Sequence, residues 1–125
     1  MDLIKQIEYW INTAEDDLGT SEYLFSGKRI LQGLFFCHLT IEKAIKAHVT
    51  RCTDNIPPKS HNLAHLLGLT DLELSEEDKD FCAILMTYQL EGRYPEYYLK
   101  TPSLEKANDY FEKTKKLFQW LKEKL

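Results

Sequence analysis

The chain has 125 residues and a formal charge of −4, with 43% hydrophobic and 29% charged residues. That size suits one domain spanning 1–125 with one buried core, and the composition excludes a disordered chain. No apolar run nears the roughly 20 residues that cross a bilayer, and the amphipathic start Met1-Asp2-Leu3-Ile4-Lys5 lacks the apolar stretch of a signal peptide, so a cytoplasmic protein with no membrane partner is expected.

A stripe of Ile4, Ile7, Ile11, Ala14, Leu18, Ser21 and Phe25 steps by three and four residues and predicts a first long helix. Gly27 separates it from a second helix over Ile30 to Val49. There Leu34, Leu39, Ile41, Ala44 and Ile45 make a wide apolar face, and Glu42 and Lys46 form an i,i+4 pair. Thr53 to Lys59 holds Pro57 and Pro58 and reads as a loop. Ser60 or Asn62 then caps a short helix with Leu63, Leu66 and Leu67, ended by Gly68. Ser75-Glu76-Glu77-Asp78 is a capping-box start, after which Phe81, Ile84, Leu85 and Tyr88 run towards Gly92. Thr101-Pro102 reads as an N-cap and first helical residue of a last long helix striped by Leu104, Ala107, Phe111, Thr114, Phe118, Leu121 and Leu125. Strand signals are absent. The expected fold is all-α, a single up-down bundle of four main helices and one short one.

Charge is unevenly spread. Residues 43–61 hold Lys43, Lys46, Arg51 and Lys59 against Asp54 alone, whereas 71–80 hold six acids against Lys79. The total excludes a protein that coats nucleic acid, while the first segment leaves room for one small anion site. Cys37, Cys52 and Cys82 lie far apart with no C-x-x-C pair, which suits reduced thiols, and Cys37 and Cys82 fall in apolar segments as small hydrophobes.

Several chemistries lack their residues. Gly27-Lys28 has no earlier glycine at phosphate-loop spacing, and no glutamate is followed three residues on by a histidine, as di-iron bundles require. His61 and His65 stand one helical turn apart, but the pair lacks the glutamate of H-E-x-x-H and no third ligand is evident, so no metal or other cofactor is expected. Gly92-Arg93-Tyr94-Pro95-Glu96-Tyr97-Tyr98 sets a cation beside aromatic rings, a set suited to a phosphate and a stacked base. Arg93 paired with an acid and tyrosines covering the bundle end would give the same pattern.

Phe36-Cys37-His38-Leu39-Thr40-Ile41-Glu42-Lys43-Ala44-Ile45-Lys46-Ala47, then Ser60-His61-Asn62-Leu63 and Arg93-Tyr94-Pro95, together resemble the HEPN domain family. Trp10-Ile11, Ala14-Glu15, Asp17-Leu18 and Leu104-Glu105-Lys106-Ala107 extend the likeness over nearly the whole chain. The resemblance implies a compact helical bundle, dimeric in many members, linked to nucleotide or RNA binding and often paired with a minimal nucleotidyltransferase in toxin–antitoxin systems. Active ribonucleases of the wider superfamily carry an arginine and a histidine with four to six residues between them. Here the positions at that spacing after Arg93 are Tyr98, Leu99 and Lys100, and none is histidine. Tyr98 is a poor general base, since phenol titrates near pH 10, roughly three units above neutral.

The leading expectation is therefore a non-catalytic HEPN-like module. It would bind a nucleotide or RNA through Lys43, Lys46, His61, Arg93 and Tyr94, dock a nucleotidyltransferase-like partner, or both, as a homodimer. One alternative is a divergent, metal-independent ribonuclease using Arg93 with His61 or Tyr98. Another is a structural adaptor that only dimerises.

Overall fold

A computed structural model describes residues 2–90 and 99–125. Among them the fold is all-α, in five helices: α1 (Leu3–Ser26), α2 (Ile30–Thr53), α3 (Leu63–Leu67), α4 (Glu76–Met86) and α5 (Leu104–Glu123). Four main helices and one short one match the expectation.

Side-chain caps begin four of the five helices. Asp2, Asn62, Ser75 and Ser103 each accept a backbone N–H three residues on, at 3.2, 3.1, 3.1 and 3.1 Å. Two of these settle or move an expected boundary. Asn62 caps α3, while the Ser60 hydroxyl accepts from Asn62 N–H instead, at 3.1 Å. Ser103, not Thr101, caps α5, which leaves Pro102 outside the helix. Two helices also differ in length. α2 continues beyond Val49 to Thr53, with Thr50 and Thr53 hydroxyls bonding back to the carbonyls of Lys46 and Val49, and Asp54 ends it at φ 55°. α4 stops at Met86, short of Gly92, because Thr87 and Tyr88 N–H groups turn to carbonyls three residues back and tighten the chain.

α1 and α2 form an antiparallel hairpin across a tight turn. Gly27 there has an ordinary φ of −90°, and the left-handed residue is Lys28, at φ 60°. Close approach of the two helices depends on Gly33. A Cβ at that position would lie 2.5 Å from the ring of Phe25, which is itself buried and packed edge-on against Phe111.

α2 is the central element and packs against all four other helices. Leu34, Ile41 and Ile45 of α2 meet Leu63 and Leu66 of α3, Leu85 of α4 and Leu121 of α5 in one fully buried core. The predicted stripes hold along α1 as far as Phe25 and along the middle of α5, and fail at the start of α1 and at both ends of the α5 stripe. Ile4 is 70% exposed, and Leu104 and Leu125 are also exposed, Leu125 lying past the end of α5. Burial of Asp17 and of Leu117 was not legible from the stripes.

Candidate functional site

His38, Glu42 and Lys46 follow one another at four-residue spacing, so α2 presents them one above another on a single face. That face is buried: His38 is fully enclosed, and the Glu42 and Lys46 side chains are 3% and 9% exposed. A buried carboxylate persists only when paired. Glu42 has two partners, one on each oxygen. Lys46 Nζ lies 3.0 Å from Oε2, and His61 Nδ1 lies 2.9 Å from Oε1. Lys46 also sits over the ring of Trp10 from α1, 5.4 Å from its centroid.

His61 stands in the connection that leads into α3, and two residues of α2 one turn apart hold it. Its ring donates to Glu42, and its backbone carbonyl accepts from His38 Nε2 at 3.0 Å. Burial pushes the His38 imidazole below its ordinary value, against the upward pull of Glu42. His38 is therefore neutral at pH 7, with its proton on Nε2. Its bare Nδ1, 3.8 Å from Glu42, has no hydrogen-bond partner among the described residues. The His61 side chain remains 43% exposed, so the cluster reaches the surface through this one imidazole.

Beside the cluster, Lys43 donates to Asp17 of α1 at 2.6 Å. Burial raises the Asp17 carboxyl and the Lys43 hydrogen bond pulls it back down. At the far end of α2, His48 Nε2 donates to the carbonyl of Leu121 at 2.8 Å, and Arg51 lies 3.0 Å from Asp71. The Cys52 thiol, 3.5 Å from the same Asp71 oxygen, and the Arg51 charge hold that carboxyl below its usual range.

Three of the four basic residues of 43–61 are thus matched by carboxylates outside that segment. Its local positive sum is not a free cationic surface. Of the residues expected to bind a ligand, the structure brings Lys46 and His61 onto one carboxylate and sets Lys43 on a separate pair. Arg93, Tyr94 and Tyr98 lie outside the described residues. Glu42 as the shared centre, and His38 beneath it, were missed; a carboxylate inside an otherwise apolar helix face, with a histidine four residues before and a lysine four after, was the signal. His65 is exposed, and among the described residues no group of three or more His, Cys, Asp or Glu is placed to hold a metal ion. Burial drives the Cys37 and Cys82 thiols up to about 11 and about 12, so both pack as hydrophobes.

The HEPN domain family model matches residues 7–125. The chain belongs to the HEPN family. Among solved structures, TT1696 from Thermus thermophilus is similar with a TM-score of 0.80, covering 96% of this HEPN chain and 98% of that one at 18% identity. ST0689, an archaeal HEPN homologue, is similar with a TM-score of 0.71, covering 94% and 96% of the two chains at 23% identity. At these identities the likeness concerns the fold. No curated protein matches the chain in sequence.

Proposed function

We propose that this HEPN domain is a non-catalytic module that binds a nucleotide or RNA, docks a minimal nucleotidyltransferase partner, or both, as a cytoplasmic homodimer in a toxin–antitoxin-like system. The observation that carries the reading is the surface-reaching imidazole of His61, held beside Lys46 on the buried Glu42 of an established HEPN bundle. Lys43, Lys46, His61, Arg93 and Tyr94 are the proposed ligand contacts. Arg93 supplies the charge that the carboxylate-matched lysines do not. Replacing Arg93 with Ala weakens binding of labelled nucleotide or RNA by about 1–3 kcal/mol, the size of a charge-assisted contact. Equal affinity in the two proteins removes the assignment.

The Glu42–His61 pair also favours a second reading. A carboxylate behind an imidazole is an arrangement that orients a general base, so a divergent, metal-independent ribonuclease using His61 with Arg93 or Tyr98 is the alternative. Mixed RNA incubated with excess protein and EDTA decides it. Shortened RNA supports the ribonuclease, and intact RNA ends that reading.

A further inference from the structure

We propose that the cleft between α4 and α5 docks a helix of a protein partner, one whose apolar seam carries basic side chains on one flank and acidic ones on the other. The two helices meet through Phe81, whose ring centroid lies 6.1 Å from that of Tyr110. Beyond Tyr110, α5 and the first turns of α4 flank a cleft of about 300 Å³. Glu77, Asp78 and Asp80 stand on its α4 side, Lys113 and Lys116 on its α5 side, and Phe81 and Ile84 line it as well. Among the described residues no ion pair joins the acids to these lysines. Lys113 pairs with Asp109 of its own helix, at 3.5 Å, and Lys116 pairs with no carboxylate. Two walls of opposite charge thus face each other without touching.

Spacing and charge together select the occupant. Glu77, Asp80, Phe81 and Ile84 step by three and four residues or their sum, and Tyr110, Lys113 and Lys116 step by three, so each wall is one face of a helix. A third helix seats on two such faces by laying its apolar row over Phe81 and Ile84, with its flanking residues against the walls, as in a coiled-coil seam. The cleft has room for the side chains of that row and not for a backbone. The dipole at the start of α4 accounts for Glu76, Glu77 and Asp78 in the first turn, but Asp80 lies past it, where that effect has faded. An occupant of one sign is drawn by one wall and repelled by the other, which sets nucleic acid aside here, whereas a helix with two charged flanks matches both. None of the proposed ligand contacts takes part, so this surface goes beyond the ligand reading of the domain, and its failure leaves the Arg93 binding assay untouched.

The probes are labelled helical peptides of about three turns, the length of α4, cross-linked on their outer face and carrying a leucine seam. One has an arginine flank and a glutamate flank, a second has arginine on both, and a third has glutamate on both. Fluorescence anisotropy at low salt should show wild type binding the two-signed peptide about tenfold more tightly than either other, with the preference fading at about 0.5 M salt. Glu77→Lys/Asp80→Lys makes both walls basic and should transfer the preference to the glutamate peptide. Lys113→Glu/Lys116→Glu makes both acidic and should transfer it to the arginine peptide. All four positions are exposed, so these variants should melt close to wild type. Failure of wild type to bind any of the peptides overturns the docking surface, and a preference that ignores both reversals overturns the role of the walls. A homodimer that comes apart in either double variant overturns the partner, because a second copy of this chain then fills the cleft.

Discussion

His38 and His48 are both enclosed on α2, and burial holds both imidazoles below their ordinary value of 6.5. The unfolded chain therefore takes up protons at these positions before the folded one does. The sign follows: stability is complete above about pH 6.5 and falls as the pH drops from there towards the lowered folded values. Urea midpoints should be lower at about pH 5.5 than at about pH 7.5, and an unchanged midpoint would contradict burial of neutral rings. Asp17 acts in the opposite sense. Its raised carboxyl takes stability away as the pH rises past 3.8, so it opposes any loss in strong acid. At Lys46, removing the cation leaves Oε2 of the buried Glu42 carboxylate without its partner, with His61 still on Oε1. Lys46→Ala should cost about 3–5 kcal/mol, whereas Glu42→Leu/Lys46→Met should cost far less, since the paired loss leaves no buried charge. Chemical denaturation of the two variants measures the contrast.

At the scale of the helix, the α1–α2 contact depends on a missing side chain and tolerates a strained one. Gly33→Ala gains roughly 1 kcal/mol of helix propensity, but its methyl group drives into the buried ring of Phe25, which Phe111 holds in place. Overpacking at about 1–3 kcal/mol outweighs the gain, and the melting temperature should fall. Lys28→Gly relieves a left-handed lysine and should raise it, by up to about 1 kcal/mol in stability. The helices themselves were legible because apolar spacing and cap residues are local. What escaped was set by distance along the chain. Asp17 lies off the α1 stripe, and its burial depends on a partner, Lys43, that is 26 residues away. Glu42 was visible as the partner of Lys46, yet its bond to His61 crosses 19 residues and a two-proline loop. Caps two residues apart, Thr101 and Ser103, satisfy the same local rule, and only the path of the chain selects one.

For the whole molecule, the decisive arrangement is that α2 touches every other helix while His38, Glu42, Lys46 and His48 face inward from it. The basic segment therefore joins elements together: Lys43 ties α2 to α1, and Arg51 ties it to the approach to α4. In a chain of net charge −4, Lys43, Lys46 and Arg51 of that cation excess are thus each held by a carboxylate. The proposed homodimer is checked by sedimentation equilibrium across a concentration series. A dimer mass is the expected result, and a monomer at the highest concentration removes it.

The three thiols occupy three environments, and that makes them a clock for motion. Cys52 is open to solvent, Cys37 is sealed in the first half of α2, and Cys82 is buried on the inner face of α4, a shorter helix. A thiol-alkylating reagent should modify one site per native chain at once. Cys82 should follow, each event recording a transient detachment of α4, and Cys37 should react last, when the bundle as a whole comes apart. Mass spectrometry of the modified peptides over time would convert static burial into a sequence of openings.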